Sequence, residues 1–486
     1  MSSSGQALTG ISDPKPALAM PVPTGVMAET GKTRQPWSRE AVPPARAPLG
    51  VETARIEKKS ILAVSATVTD PSDLKQTGWG VLFASDADPA IKAQLQPLLD
   101  LRKNQVGSDK LFQVFEGAAS GVRPKQSAGN WAAARGVSAV APIDPTRGVP
   151  FYLLIVGSLD RIPYEFQALL DLQWAVGRLH FDKLEDYGAY AKSIVQYETA
   201  KTIAGKKRVA MWMPKNPMDG ATPMLHATIA PGFMGQTDGG KKLGSAQGFE
   251  LLSYLAEGQA TKANLKELLT GATTGGAASI IFTASHGGEW PMSNPEVQRA
   301  KQGALVTQEW TYGQPLELQH YFAAEDLPDT ANLQGSIIFH FACFGCGCPA
   351  QDNFFKTNDN KPIQLAPSPL VSQLPQKLLS KGALAVIGHV DRAFSYGFQD
   401  EAGTPQPQLL RSPLELLMQG KRAGEAMDPM NLQWSSLAAI LGLQTGGFGT
   451  EPPPEVLANL IVARDDARNY MLLGDPAVRL RIQDLQ

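Results

Sequence analysis

Two strand-like runs, each leading into a reactive residue, constrain the fold of this 486-residue chain most strongly. Residues 278–285 are a short apolar run that leads directly into His286, and residues 335–342 are a similar run that ends at Cys343. Short runs rich in Ile and Phe and bounded by Gly are typical of buried strands in a parallel sheet. In open α/β sheets the chemistry gathers just beyond the carboxyl ends of such strands. We therefore expect His286 and Cys343 to meet at one sheet edge as a base and a nucleophile.

The length and composition indicate a soluble globular enzyme with two domains or two fused subdomains. A hydrophobic fraction of 43% and a charged fraction of 19% are typical of a folded rather than a disordered chain. The formal net charge of -2 gives no general attraction to nucleic acid or to an anionic membrane. No stretch approaches the roughly 18 apolar residues of a spanning helix, and the first residues lack the pattern of a secretory signal. We expect neither a nucleic acid nor a membrane partner.

All three cysteines lie within six positions, at Cys343, Cys346 and Cys348. Cysteines this close together cannot form a distributed disulfide framework. The simplest interpretation is a reducing, cytoplasmic setting. Cys346 and Cys348 are interpreted as small buried apolar residues in a Gly-rich turn.

The chain divides into three predicted parts. Residues 1–54 are rich in Pro, Ala, Ser and Gly without apolar periodicity, which predicts a flexible leader. Residues 55–205 alternate between strand-like and helical patterns and contain no cysteine and one histidine, His180, so this α/β subdomain is predicted to be catalytically empty. Residues 206–486 repeat the α/β alternation and carry both reactive residues. Within them, residues 214–248 are rich in Gly and Pro and are predicted to loop over the sheet edge.

The residues around His286 fit the requirements of thiol catalysis. Cysteine attacks carbonyl groups as the thiolate, so Cys343 needs a nearby base, and an imidazole can take the thiol proton and later protonate a leaving group. Gly287 and Gly288 have no side chains, so a substrate carbonyl can approach the backbone there, and N–H groups at that point can stabilise an oxyanion. The Cys343 amide is the second expected donor.

These two segments resemble the active-site segments of the caspase-like cysteine peptidases, a group that includes caspases, gingipains, separase and CHAT domains. In that group one strand ends in His-Gly and the next ends in Ala-Cys before a turn of small residues. Residues 285–288 and 341–345 match these two elements here. Residues 382–388 are similar to the strand that follows the nucleophile, and residues 472–480 are similar to the closing segment. The matches run in the right order over roughly residues 205 to 486.

The resemblance implies a caspase-like three-layer α/β/α sandwich, with an inactive subdomain at residues 55–205 followed by an active one at residues 206–486. It implies an intracellular cysteine endopeptidase with Cys343 as nucleophile, His286 as general base and acid, and Gly287 with the Cys343 amide as oxyanion hole. Its partners would be a protein or peptide substrate and a regulatory protein, with no cofactor or metal. A regulated bacterial signalling or defence system is the setting that CHAT domains suggest.

Asp391 is the candidate for substrate preference. It follows the strand after the nucleophile, where separase and CHAT domains carry an acidic residue associated with binding a basic side chain. A cleft carboxylate attracts Arg or Lys through charge-assisted hydrogen bonds, which predicts cleavage after a basic residue. The equally weighted alternative is that Asp391 pairs with Arg392 or caps a turn.

Three alternatives accompany this prediction. A catalytically silent adaptor with the same fold is disfavoured by the intact His and Cys pair. A zinc module would have four candidate ligands within nine residues, namely His340, Cys343, Cys346 and Cys348. This cluster lacks the second, well-separated ligand pair of a structural zinc site. Strand alternation also directs the His340 side chain away from its two neighbours in the strand. Cys346 is also a minor rival nucleophile, because many relatives have Gly at that position.

Overall fold

A computed structural model describes residues 22–33, 68–237, 240–273, 276–357, 359, 361–400, 403–446 and 452–486. Ten strands form one central sheet. Numbered in chain order, they are β1 (Trp79–Phe83), β2 (Phe112–Phe115), β3 (Tyr152–Val156), β4 (Ala175–Leu179), β5 (Lys206–Trp212), β6 (Glu250–Tyr254), β7 (Ala278–Ala284), β8 (Ile337–Phe341), β9 (Ala385–His389) and β10 (Tyr470–Gly474). Across the sheet the order is β2-β1-β3-β4-β10-β9-β8-β7-β5-β6.

The sheet consists of two halves that run in opposite directions. Strands β1 to β4 are parallel to one another, and so are strands β5 to β9. The closing strand β10 pairs parallel with β4 and antiparallel with β9, so it joins the two halves. The carboxyl ends of β7 and β8 therefore share one edge with those of β5, β6 and β9, and the carboxyl ends of β1 to β4 lie at the opposite edge.

Helices flank the sheet, so the predicted α/β class and three-layer α/β/α arrangement are confirmed. They are α1 (Leu74–Thr77), α2 (Pro89–Val106), α3 (Gly117–Ser120), α4 (Ala128–Ala133), α5 (Tyr164–Asp171), α6 (Leu184–Thr199), α7 (Ala221–Met234), α8 (Lys262–Thr270), α9 (Pro295–Lys301), α10 (Gln373–Ser380), α11 (Gln408–Met418), α12 (Ala423–Ala426), α13 (Asp428–Thr445) and α14 (Pro454–Arg468). The predicted division between residues 205 and 206 falls between α6 and β5. It stays a prediction, because one sheet contains strands from both sides.

The two runs that organise the sequence form β7 and β8. Every residue of both strands is buried, which agrees with apolar runs covered by helices on both faces. The strands are direct neighbours, with Phe341 opposite Ala284. The residues that follow them in the chain therefore emerge side by side.

One prediction for the second half is wrong. The sequence predicts a loop over the sheet edge for residues 214–248, but this segment contains α7. Leu225, Ile229 and Phe233 are buried at a spacing of four residues, which is the spacing of one helix face. Burial of that face outweighs the cost of the proline at position 231 inside the helix.

A smaller sheet covers the carboxyl edge beyond β7. Its four short strands are, in spatial order, Gly25–Met27, Gly287–Glu289, Leu305–Val306 and Tyr321–Phe322. The first strand belongs to residues 22–33, the described part of the predicted leader, which we name the leader segment. The remainder of residues 1–54 lies outside the described residues. None of the helices in the described ranges is long and apolar enough to cross a membrane.

Candidate active site

His286 and Cys343 lie at the shared carboxyl edge, as the sequence predicts. His286 is the second residue after β7, and Cys343 is the second residue after β8. Both side chains are fully buried. Both residues thus lie at the same edge of the sheet, but the ring nitrogens of His286 contact Thr24 and Asp219 rather than the Cys343 sulfur. The catalytic roles of the two residues stay predictions.

Gly287 occupies a position where no side chain fits. A Cβ added there would lie 1.8 Å from the Cys343 carbonyl oxygen and 3.0 Å from its nitrogen. The backbones after β7 and β8 are thus in direct contact, which requires Gly at this point. As a result, the two predicted oxyanion donors lie close together. They are the backbone amides of Gly287 and Cys343.

Both ring nitrogens of His286 have hydrogen-bond partners. Nε2 lies 2.9 Å from Asp219 Oδ2, and Nδ1 lies 2.7 Å from the carbonyl oxygen of Thr24. The carboxylate oxygen and the carbonyl oxygen are both hydrogen-bond acceptors. The edge of the His286 ring also packs against Trp310, with ring centroids 5.5 Å apart.

The sequence does not single out Asp219, because the Gly- and Pro-rich segment around it predicts a loop. Its carboxylate accepts hydrogen bonds from the Thr222 N–H at 2.8 Å and the Thr222 hydroxyl at 2.7 Å, at the start of α7. Burial acts to raise the pKa of Asp219, but the charge and hydrogen bond of His286 and the bonds from Thr222 outweigh burial and hold the pKa well below its usual range. An acidic residue just before an apolar helical run is the signal that could have revealed it.

The Cys343 thiol is enclosed. The Ala393 N–H donates to Sγ at 3.0 Å, and the Ala393 carbonyl oxygen and the Thr24 hydroxyl each lie 3.5 Å from Sγ. Burial raises the pKa of Cys343 to about 12, despite the opposing effects of the hydrogen bond with Thr24 and the charge of Arg392. In this arrangement Cys343 is therefore a thiol, and a nucleophilic role requires that a base remove its proton.

Cys346 and Cys348 are also fully buried, and their sulfurs have neighbours of their own. The Cys346 sulfur packs against β9, where a Cβ on Gly388 would meet it at 3.0 Å. The Cys348 sulfur accepts a hydrogen bond from the Gln302 side chain at 3.5 Å. Burial raises the pKa of both thiols. Both residues are packed as small apolar side chains, which is the interpretation favoured from the sequence.

Asp391 lies beside the site, and both of its carboxylate oxygens have partners. Oδ2 accepts from the Asn353 side chain at 2.7 Å, and Oδ1 accepts from the backbone N–H of Arg392 at 2.7 Å. The Arg392 guanidinium itself pairs with Glu289 at 2.7 Å and Asp352 at 2.8 Å. Burial and the neighbouring Asp352 carboxylate raise the pKa of Asp391. Recognition of a basic side chain by Asp391 stays a prediction.

His340, the histidine of the zinc alternative, lies inside the sheet. Its Nδ1 is 2.7 Å from the Thr283 hydroxyl on the neighbouring strand, and burial lowers its pKa to about 3. Within the described ranges no three His, Cys, Asp or Glu side chains converge as metal ligands.

No protein-family model matches the chain, and no curated protein matches it. Among solved structures, one described as "Structure of Protease" aligns with a TM-score of 0.45 and 14% identity, over 83% of this chain and 78% of that one. A structure of the Saccharomyces cerevisiae separase–securin complex aligns with a TM-score of 0.31 and 11% identity, over 67% of this chain and 15% of the matched chain. A second structure of that complex gives a TM-score of 0.29. The catalytic roles proposed below for His286 and Cys343 therefore depend on contacts within this chain and not on these similarities.

Proposed function

We propose that the chain is a cysteine endopeptidase in which Cys343 is the nucleophile and His286 the general base and acid. The observation that carries the proposal is the peptide group between Thr24 and Gly25, two residues that both adjoin the Cys343 sulfur. The carbonyl oxygen of that group, from Thr24, accepts a hydrogen bond from the Gly287 N–H at 3.1 Å and contacts His286 Nδ1 at 2.7 Å. An N–H donor, an imidazole and a thiol around one carbonyl are the groups that acyl transfer requires.

The steps follow from these groups. The imidazole of His286 removes the thiol proton, and the thiolate attacks the carbonyl carbon of the substrate. The Gly287 N–H, with the Cys343 amide as second donor, stabilises the oxyanion. When the C–N bond breaks, His286 returns the proton to the leaving amine and a thioester remains on Cys343. His286 then removes a proton from a water that hydrolyses the thioester, which restores the thiol and releases a carboxylate product.

Asp219 is a positioning residue in this scheme. Its contact with Nε2 directs Nδ1 of His286 toward the reacting carbonyl, and its charge stabilises the imidazolium that forms during the reaction.

Replacing Asp219 by Asn tests this role. Asp219→Asn keeps the size of the side chain and removes the charge, so we expect kcat to fall by roughly 10²- to 10⁴-fold, the range from loss of one preorganised polar group to loss of a triad carboxylate. KM should change little, because Asp219 contacts His286 and not the bound peptide. The pH profile of kcat separates the proposed role from a structural one: an unchanged profile with reduced thermal stability would contradict it.

The preference for Arg or Lys before the cleaved bond remains part of the proposal, supported by the position of Asp391. Peptides carrying a thiol-reactive group test both the nucleophile and the preference. A probe ending in Arg should label Cys343, identified by peptide mass spectrometry, and His286→Ala should suppress the labelling. Labelling by a probe ending in a small residue but not by the Arg probe would contradict the basic preference. Labelling of Cys343 by neither probe would favour the adaptor over the peptidase.

A further inference from the structure

The carbonyl group in the candidate active site belongs to the chain's own leader segment, which passes through the site as an extended strand. On one side, the Thr24 N–H donates to the Ala393 carbonyl at 3.0 Å, and the Ser395 N–H donates to the Val22 carbonyl at 3.1 Å. Between these bonds Pro23 faces Phe394 in an antiparallel bridge. Residues 22–24 are therefore bound through their backbone, as a peptide is when it extends a sheet.

The following residues are bound in the same way on the other side of the site. Gly25–Met27 pairs parallel with Gly287–Glu289, the strand directly after His286. The Ala28 N–H then donates to the Glu289 carbonyl at 2.8 Å. The leader segment is thus held on both sides of the peptide bond between Thr24 and Gly25.

That peptide bond lies at the reactive groups. The Thr24 carbonyl oxygen is bound by the Gly287 N–H and lies at His286 Nδ1. The Cys343 sulfur lies 3.5 Å from the Thr24 hydroxyl, and a Cβ added to Gly25 would lie 3.0 Å from it. The sulfur therefore lies beside the bond, while the carbonyl oxygen already contacts the predicted oxyanion donor.

Side-chain contacts define which sequences fit this strand. Thr24 is fully buried, and Gly25 leaves no free space for a Cβ. Val26 packs against Val306 and Trp310. Ala28 lies in a second apolar cluster, which contains Trp290, Ala304, Tyr321 and Ala323. The leader segment thus presents Thr before the bond, Gly after it, and then an aliphatic residue. It is held in the site by its own backbone pairing and packing, and does not depend on the preference for Arg or Lys proposed for separate substrates.

We propose that the peptidase cleaves its own chain between Thr24 and Gly25. This proposal rests on the proposed function. The Cys343 sulfur bonds to the Thr24 carbonyl carbon, the bond to the Gly25 nitrogen breaks, and His286 transfers the thiol proton to that nitrogen. Water then hydrolyses the thioester on Cys343. The products are a peptide of residues 1–24 with a free carboxylate and a chain that begins at Gly25.

The purified chain of 486 residues tests the proposal directly. We expect incubation of the purified chain to yield a product with Gly25 at its amino terminus, identified by intact mass and by sequencing. Gly25→Val should slow its appearance at least tenfold, because a Cβ there meets the reacting sulfur. Glu29→Gln is the matched control, since Glu29 is exposed on the same segment, and it should be processed at the wild-type rate. Cleavage at another bond, or equal rates for Gly25→Val and the control, would overturn the proposal.

Two further measurements separate the possible failures. If no Gly25 product forms although a peptide probe labels Cys343, self-cleavage is wrong and the proposed peptidase stands. If there is neither product nor labelling, both proposals fall. The product should form at a rate independent of chain concentration, because the bound segment belongs to the same chain. Equally fast cleavage of an added Cys343→Ala chain by the wild-type chain would contradict this intramolecular route.

Discussion

Cys343→Ala is expected to abolish peptide hydrolysis, with a loss on the order of 10⁶-fold in kcat, the size seen when a nucleophile that acts with its base is removed. The alanine side chain cannot form the thioester, so the reaction loses its covalent route. The His286 and Gly287 contacts involve other atoms and should persist in this variant. Thermal unfolding should therefore change little while hydrolysis stops, which can be measured on the same preparation.

Cys346→Ala is the matched control for this prediction. It makes the same chemical change three residues further along the same turn, at a sulfur that packs against Gly388 of β9. We expect it to keep hydrolysis within a fewfold of the wild-type rate. The reverse result, with an active Cys343→Ala chain and an inactive but folded Cys346→Ala chain, would assign the nucleophile to Cys346.

Arg102→Met is expected to lower the free energy of unfolding by about 3–5 kcal/mol, the cost of breaking a buried ion pair from one side. Arg102 on α2 is fully buried and contacts Asp475 at 2.6 Å and Glu198 at 2.7 Å. Burial acts to lower the pKa of Arg102, but the two carboxylates outweigh burial and raise it, so the guanidinium stays charged. Without Arg102, the buried Asp475 carboxylate and the largely buried Glu198 carboxylate would both lose the ion pair that Arg102 forms with them.

The measurement is chemical denaturation of the variant and of a surface control. Arg161→Met removes a similar side chain from an ion pair with Asp86 at 3.0 Å, in which both side chains are at least half exposed. Such exposed pairs contribute between 0 and roughly 1 kcal/mol. Equal losses of stability in the two variants would contradict a special role for the buried network. Asp475 also accepts a hydrogen bond from the Trp79 indole N–H at 2.9 Å. Because Asp475 directly follows β10, the buried network connects β1 and α2 to the closing strand.

The strands at the centre of the fold could be predicted because local pattern and tertiary environment agree there. β7 and β8 are covered on both faces, so their residues are almost continuously apolar, and a short run of that kind is recognisable in isolation. The same pattern predicts that the residues after the two strands share an edge. For this reason His286, Gly287 and Cys343 could be identified as candidate site residues from the sequence.

The roles of Asp219 and the leader segment in the site could not be predicted from the sequence in the same way. Asp219 reaches His286 across 67 positions of sequence, from a segment whose prolines and glycines suggested a loop. Residues 22–33 meet their partners more than 250 positions away, largely through backbone hydrogen bonds. Backbone pairing leaves little trace in side-chain pattern, because every residue except proline offers the same donor and acceptor.

The sequence by itself determined the α/β class and the pair of strands that carry His286 and Cys343, because burial on both faces of a sheet dictates apolar composition. Only the tertiary structure decided which carboxylate contacts His286 and which peptide lies between the imidazole and the thiol. Those contacts depend on distances between segments remote in the chain, and they are set by the packing of α7 and the leader segment against the sheet edge.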